Sequence, residues 1–268
     1  MKILKPPAFL ACLLLVGAAR AQTINFSDKA GKMTLTHISS WSTRLNPGNI
    51  LHFKALGSKL HGEWETLGLK VDAGGIEGDA KRVGAVGNNS SLELQNATLT
   101  GGVHLVVNQK GQLVTMDCAS AVIKSDGSVM NVTLEGGVTI DRDVPATGEK
   151  LHATGSRGTA QVTMANGLGK ATLAGPVTID MNRKSTQAAT VHVNAKARKL
   201  DINRMADPST IVLTGDVTIQ GNDPAIAGDI RASRAVILVD AKGNVIGIDA
   251  DGDPGVMRFK GRGKVGAA

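Results

Sequence analysis

A nine-residue pattern that occurs in four copies constrains this chain more than any other feature of its sequence. Each copy places an aliphatic or alanine residue at its first position, leucine at its third and glycine at its fifth, then ends Val-Thr-Ile or Val-His-Leu. The copies occupy residues 97–105, 132–140, 171–179 and 211–219, and their leucines are separated by 35, 39 and 40 residues. A period of this size predicts a fold built from stacked structural units.

Within each copy the apolar residues lie two positions apart, which is the spacing of one face of a β-strand. The central glycine is also an even number of residues from the apolar positions, so it belongs to the same strand face. Because the apolar alternation continues on both sides of the glycine, the simplest interpretation is a strand bent at this residue, where two sheet faces can approach each other. We therefore predict that each copy is a strand folded across a corner with its apolar side chains inward. The predicted inner residues are Leu99, Val103, Leu105, Val132, Leu134, Val138, Ile140, Leu173, Val177, Ile179, Leu213, Val217 and Ile219.

Weaker copies extend the pattern at both ends of the chain. Residues 60–64 lie 39 positions before Leu99, and residues 250–252 lie 37 positions after Leu213 at the matching leucine position. Six units would then be stacked along the chain. Terminal units of such stacks commonly diverge, because one of their sides faces solvent and not a neighbouring unit.

Between the copies lie strands of a second type, of which residues 191–198 are the clearest. Val191, Val193, Ala195 and Ala197 alternate there with polar residues, so one side of the strand is apolar and the other is polar. Clusters of glycine, asparagine and aspartate, such as residues 72–75, predict the turns. Helical periodicity is absent, and the sequence therefore predicts an all-β fold of antiparallel strands.

The first residues have the features of a secretory signal peptide. A basic start is followed by an apolar run at residues 8–18 and by a small-x-small cleavage site before Gln22. A lipoprotein signal ending at Cys12 is the competing interpretation, but only a short, proline-interrupted apolar run precedes that cysteine. We predict an exported chain, and removal of three basic residues with the signal lowers its formal net charge from +7 to +4.

The chain is thus divided into a signal peptide at residues 1–21, an N-terminal cap region at 22–50, a repeat-built domain at 51–264 and a tail at 265–268. Glycine is abundant, tyrosine is absent, and few phenylalanines remain after the signal. Such a chain must build its core from many small aliphatic contacts. The single remaining cysteine, Cys118, is interpreted as a small buried apolar residue.

Most candidate chemistry fails on inspection. Residues 249–253 resemble the start of a calcium loop, but Pro254 stands where that loop requires glycine. The six histidines lack metal-ligand spacing, and the nearest pair of carboxylates, Asp141 and Asp143, stands alone at a predicted turn. Dispersed charge and missing aromatic residues argue against nucleic-acid binding. We therefore predict no catalytic residues, no metal and no cofactor, and a chain that is not an enzyme.

The stretch from 257 to 264 alternates basic residues on one strand face. These residues are Arg258, Lys260, Arg262 and Lys264. Positive charge is a general device that protects an edge strand from further pairing, and this is the favoured interpretation. A basic lip for an anionic partner, such as an acidic edge or lipid phosphates, is the functional alternative.

Three segments together resemble a known repeat. Gly215-Asp-Val-Thr-Ile219, Ala232-Ser-Arg-Ala235 and the return at residues 243–252 are similar to the repeat of the OstA/LptA-like family of periplasmic lipopolysaccharide-transport proteins. The resemblance implies an elongated antiparallel β-jellyroll, or β-taco, whose two facing sheets hold acyl chains between them. It also implies lipopolysaccharide or a similar glycolipid as the ligand, and end-to-end strand addition to other β-jellyroll transport proteins or to further copies.

An aliphatic inner face has two physical interpretations that the pattern alone leaves open. A trough with such a lining selects hydrocarbon, since it offers no polar group to a ligand. The same face would equally fill the closed core of a structural β-solenoid that serves as a stalk or adhesin. The family resemblance favours the lipid-binding trough, and the inner residues of the four copies are then its predicted lining.

Overall fold

The computed structural model describes residues 22–28, 31–65, 68–83, 91–109, 111–126, 129–163, 167–184, 190–222, 228–241, 245–252 and 256–259. The fold is all-β, as predicted, and its strands form one antiparallel sheet. The strands are β1 (Gln22–Asp28), β2 (Gly31–Ile38), β3 (Ser40–Asn46), β4 (Ile50–Trp64), β5 (Leu69–Val83), β6 (Ser91–Gln109), β7 (Gln112–Asp126), β8 (Val129–Val144), β9 (Glu149–Thr163), β10 (Gly167–Lys184), β11 (Thr190–Asn203), β12 (Ser209–Gly221), β13 (Gly228–Val239), β14 (Val245–Asp251) and β15 (Val256–Phe259).

The strand order follows the order of the chain. From β4 to β14 every strand pairs with the next one, while β2 and β3 both pair with β4, and β14 and β15 both pair with β13. With about 4.8 Å between neighbouring strands, the ten strands from β4 to β13 extend over roughly 43 Å. The result is an elongated stack of antiparallel hairpins, in agreement with the predicted architecture.

A line of β-bulges crosses the sheet near the middle of its long strands, and we call this line the crease. On β6, Gly101 and Gly102 together lie opposite the single residue Ala119 of β7. The same two-against-one pairing recurs on β8, β10 and β12. A bulge bends its strand and increases its local twist. The crease therefore folds every long strand into two segments and the whole sheet into two halves.

The predicted bend at the repeat glycine is confirmed, but its physical reason differs from the prediction. Gly136 is exposed on the outside of the bend and does not face the apolar interior. Its φ of 83° is in the left-handed region, and a Cβ at this position would lie 2.5 Å from the Cβ of Ala119. Glycine is thus required by the conformation of the bulge and by the close neighbouring strand.

The crease separates a leucine half from an isoleucine half, named for the repeat residues that line them. In the leucine half, Leu134, Leu173 and Leu213 belong to one row of directly paired inner residues. In the isoleucine half, Ile140, Ile179 and Ile219 form a second row in the same way. Both rows are buried in a single hydrophobic core, because the two halves pack face to face.

All six repeat units lie on alternate strands, from β4 to β14, as their spacing predicts. The C-terminal unit is in register, since Ala250 pairs with Ala235, which pairs with Leu213. The N-terminal unit is not, because Leu60 lies beyond the crease and Ala55 occupies the row of Leu99 through Ile76. The glycine at the expected position in β4, Gly62, pairs regularly with Val71 outside the crease, so spacing alone could not locate the crease in this strand.

The turn predicted at residues 72–75 is wrong. These residues lie inside β5, where Gly74 is placed at the crease and a Cβ added to it would lie 3.2 Å from the Cα of Gly101. A pair of glycines is typical of a tight turn, but here it allows close contact between two creased strands. The predicted alternation of residues 191–198 is confirmed, with Val191, Val193, Ala195 and Ala197 all buried.

Candidate functional site

An apolar slot remains between the two halves in the C-terminal part of the sheet. Its volume is about 80 Å³. The leucine half contributes Leu213 and Ile202 to its lining, and the isoleucine half contributes Ile179, Met181 and Ala195. Most of the lining is aliphatic and offers few polar partners to water, apart from the charged residues at one border that are described below.

The slot lies in the part of the interior that the large aromatic side chains do not reach. The two buried aromatic residues that the structure describes, Trp64 and Phe53, both belong to β4, near the N-terminal end of the sheet. In the C-terminal part, small residues such as Ala171 and Ala195 occupy inner positions and line the slot. Close-packed interiors leave space only where the side chains cannot fill it. The aromatic residues therefore close one end of the interior, and the alanines leave the other end partly unfilled.

All thirteen predicted lining residues face inward, and none is more than 9% exposed. The structure brings Ile140, Ile179 and Leu213 to the wall of the slot. The other predicted residues are packed into the closed parts of the core. These are Leu99, Val103, Leu105, Val132, Leu134, Val138, Leu173, Val177, Val217 and Ile219.

Opposite the crease, the ends of the strands from the two halves meet along a seam. The side chain of Gln109, from the end of β6, lies against Gly167 at the start of β10, where an added Cβ would be 3.4 Å from that of Gln109. Further along, the seam is lined by Arg142 and Glu149 from the isoleucine half and by Arg204 from the leucine half. We call these last three residues the seam cluster.

The seam cluster combines one ion pair with a second, separate cation. Arg142 donates from Nη1 to Oε1 of Glu149, and its Nε donates to Oε1 of Gln112 over 3.3 Å. In the part of the chain that the structure describes, Arg142 and Glu149 are the charged side chains that are buried. The half-buried guanidinium of Arg204 interacts electrostatically with Glu149 but makes no hydrogen bond within the same described residues.

Burial perturbs both arginines. It lowers the pKa of Arg142 to about 10, with Glu149 acting in the opposite direction and the charge of Arg204 adding to the decrease. Burial also lowers the pKa of Arg204, again against the influence of Glu149. Both guanidinium groups remain protonated at neutral pH, so two positive charges share one carboxylate. Perturbed ionisable groups beside a cavity are a common property of functional sites.

The seam cluster separates the slot from a polar cleft on the surface. Arg142, Glu149, Arg204 and Ser209 line both spaces. On the outer side the cleft includes the carboxylates of Asp207 and Asp240. The arrangement thus places an apolar wall, then two guanidinium groups, then a solvated cleft in sequence. Such a gradient can accommodate a molecule with a hydrocarbon part and a charged part.

Sequence reasoning did not identify the seam cluster, although the alternation contained the signal. Arg142 follows Val138 and Ile140 at two-residue intervals, so the same parity that predicts their inward orientation also predicts that of Arg142. Arg204 follows Ile202 in the same way. The position at which an apolar row changes to a charged residue marks the seam.

The predicted basic strand is described only in part. Arg258 lies in β15, which pairs with β13 at the end of the sheet, and its backbone is opposite Asp229. Lys260, Arg262 and Lys264 lie outside the described residues, as do residues 1–21 with the predicted signal peptide. The edge position of β15 is compatible with both interpretations of its charge.

The histidines that are scattered in the sequence form cross-strand pairs on the outer face of the sheet. In four pairs the Nδ1 of the histidine lies 2.7–3.0 Å from an aspartate Oδ1. The pairs are His52–Asp79, His61–Asp72, His104–Asp117 and His152–Asp141. Among the described residues, no group of three or more His, Cys, Asp or Glu side chains has an arrangement that could hold a metal ion.

The fold and site define an all-β protein in which a creased antiparallel sheet encloses an apolar slot with a charged seam. Comparison of the chain with protein-family models, curated proteins and solved structures returned no match. The described residues contain no helix that is long and apolar enough to span a membrane. The function must therefore be argued from the slot and the seam themselves.

Proposed function

We propose that this protein is a periplasmic lipid-binding protein that holds acyl chains in its slot during lipopolysaccharide transport to the outer membrane. The observation that carries this proposal is the aliphatic slot between the halves of a creased sheet, next to a charged seam. The signal-like N-terminus supports export to the periplasm. The resemblance of the repeat to the OstA/LptA-like family supports lipopolysaccharide or a similar glycolipid as the ligand.

The slot binds hydrocarbon without any catalytic group. Each buried methylene contributes about 0.8 kcal/mol, so about eight methylenes of one acyl chain contribute roughly 6 kcal/mol before the costs of binding. The slot holds about 80 Å³, whereas ligand pockets commonly hold about 300–1,000 Å³. Entry of a chain therefore requires the two halves to separate along the seam, and the crease serves as the hinge.

End-to-end strand addition to similar proteins or to further copies forms part of the proposal. Trp41 and Leu45 of β3 pair with Ala55 and Leu51 of β4, so they belong to the inner apolar face. They are 47% and 56% exposed, although Ala55 is fully buried. The apolar face thus continues past the last covered strand, and a partner that adds its own terminal strand would cover it.

A structural stalk or adhesin is the second candidate function, and one observation favours it. The N-terminal part of the interior is closed, with Trp64, Phe53 and Leu99 each no more than 1% exposed. Close packing of this kind suits a load-bearing element as well as a carrier. The two functions differ in whether the C-terminal slot opens to a ligand.

Photo-crosslinking distinguishes the two. A photoreactive residue at Leu213 or Ile179, on the wall of the slot, is expected to capture lipid when the protein is isolated from the periplasm. Matched probes at Thr218 and Thr178, on the opposite face of the same strands, are expected to capture none. A third probe at Leu99 tests the closed part of the core.

Mass spectrometry of the extracted lipid completes the experiment. Stoichiometric glycolipid, crosslinked at the slot positions alone, supports the carrier. Protein without lipid, or equal labelling of inner and outer positions, would reject lipid binding in favour of the structural role.

A further inference from the structure

We propose that Arg142 and Arg204 form a binding site for the anionic group, phosphate or carboxylate, of an amphiphile whose hydrocarbon chain lies in the slot. This inference rests on the proposed function, because it requires the slot to hold a chain. It adds a definite ligand chemistry, a definite position along the seam and a role for three residues that a purely aliphatic trough would not need.

The first argument is the charge balance of the seam cluster. Arg142 is hydrogen-bonded to Glu149, which leaves the positive charge of Arg204 without a hydrogen-bonded counterion among the described residues. A charge that is partly removed from water destabilises the folded chain unless an opposite charge is close. A bound anion would supply that charge, and guanidinium groups match the geometry of phosphate and carboxylate oxygens.

The second argument is position. The seam cluster lines both the slot and the outer cleft, so a chain in the slot would bring its head group to the two guanidinium groups. Farther out, Asp207 and Asp240 place negative charge in the cleft. An anion is therefore favoured at the inner border of the cleft, between the arginines, and disfavoured beyond it.

The third argument is that the seam cluster is an exception in its surroundings. The buried side chains of the described residues are apolar apart from Thr163 and the Arg142–Glu149 pair. Replacing a buried ion pair by apolar residues of similar volume is often neutral or stabilising. Stability alone therefore does not explain the pair. In the proposed site Glu149 is a positioning residue, because it fixes the guanidinium of Arg142 towards the slot.

The seam location also joins head-group binding to entry of the chain. Arg204 belongs to the leucine half, whereas Arg142 and Glu149 belong to the isoleucine half. An anion held by both arginines would connect the halves across the seam after the chain has entered. The same site would thus bind the head group and close the slot behind the hydrocarbon.

Calorimetric titration of the purified protein with three probes tests the proposal. The probes are dodecyl phosphate and 1-dodecanol, both below their aggregation concentrations, and inorganic phosphate. The wild type is expected to bind dodecyl phosphate at least about tenfold more tightly than 1-dodecanol, since a hydrogen bond to a charged group contributes this much or more. Inorganic phosphate alone is expected to bind weakly, because it lacks the hydrocarbon contribution.

Arg204→Gln is expected to remove the preference for dodecyl phosphate and to leave the affinity for 1-dodecanol unchanged. Arg204→Lys should restore part of the preference. A double variant, Arg142→Met with Glu149→Gln, removes the other guanidinium without leaving a buried unpaired charge. Arg157→Gln, at an exposed position on the outer face, makes the same change in net charge and should alter neither affinity.

The outcomes separate this proposal from the function on which it rests. If every variant binds both amphiphiles equally well, the anion site is refuted and the lipid-binding function stands. If neither amphiphile binds the wild type, both are refuted. If inorganic phosphate binds as tightly as dodecyl phosphate and Arg204→Gln abolishes both, the arginines hold a free anion and the amphiphile assignment is wrong.

Discussion

Filling the slot should stabilise the protein, whereas the same substitution elsewhere in the core should destabilise it. Ala195 lines the slot and is 5% exposed, and the slot has space for about six atoms of the size of water. Ala195→Leu adds three carbon atoms, which contribute at most about 2.4 kcal/mol when buried. Ordering the leucine side chain opposes this by about 0.5–1 kcal/mol, so the expected net gain is about 1.5 kcal/mol.

Ala97→Leu is the matched control in the closed part of the interior. Ala97 is fully buried, pairs with Ile123 on the neighbouring strand and does not line the slot. Inserting the same three carbon atoms there should cost about 1–3 kcal/mol, because close-packed neighbours must move.

Thermal unfolding followed by circular dichroism measures both effects. For a chain of this size 1 kcal/mol corresponds to about 2–4 °C, so Ala195→Leu should raise Tm by about 3–6 °C and Ala97→Leu should lower it by about 2–12 °C. Equal destabilisation by the two substitutions would refute the conclusion that the C-terminal interior is incompletely filled. The slot-filling variant should also bind 1-dodecanol more weakly than the wild type does.

Two further predictions concern the crease and the lone cysteine. Gly136→Ala should lower the free energy of unfolding by about 2 kcal/mol or more, because the left-handed conformation costs about 1–2 kcal/mol and the new Cβ meets Ala119 at 2.5 Å. Gly111 has a similar φ but no atom within 4 Å of an added Cβ, so Gly111→Ala should lose only the conformational part of this free energy. Denaturant titrations measure both losses, and equal losses would contradict the packing argument. Burial raises the pKa of the Cys118 thiol, so its alkylation by iodoacetamide at pH 8 should be slow in the folded protein and fast in guanidinium chloride. Rapid alkylation of the folded protein would show that this part of the core is open.

The repeat predicted the fold because its period reports the physical unit of the sheet. The two-residue alternation identified the inward side chains, and the 35–40-residue steps located every second strand. Residues such as Leu134 and Leu213 could be placed correctly because burial of one sheet face requires an apolar residue at every second position. The same argument predicted the alternation of β11 from Val191 to Ala197.

The crease could be predicted only where a glycine marks it. On β8 the glycine is present, and the bend was predicted from it. The cause of the bend could not be predicted, because an outward bulge and an inward-facing glycine give the same alternation of buried residues on that strand. The intervening strands show the difference: on β7, Met116 and Cys118 are buried before the crease, and Ala121 and Ile123 are buried after it. The shift of one residue between these pairs arises from the pairing with the bulged strand, which no local pattern in β7 contains.

The candidate site was predictable in its chemistry but not in its extent. An aliphatic lining follows from composition and alternation, yet the presence of a slot depends on how the alanines of one half meet the side chains of the other. That arrangement is tertiary information. Arg204 belongs to the seam cluster only because the end of β11 lies next to the turn between β8 and β9 in the fold. It is 62 residues from Arg142 and 55 from Glu149 along the chain, and no pattern in the sequence indicated this proximity.

The alternation of bulged and unbulged strands determines how a chain of this kind can change its length during evolution. A bulged strand needs an unbulged neighbour on each side, because at the crease it has one residue more than the neighbouring strand opposite it. Insertion of one strand would place two bulges or two unbulged strands side by side and would also reverse the direction of all later strands. A complete hairpin can be duplicated without either defect, and the number of such hairpins then sets the length of the apolar interior.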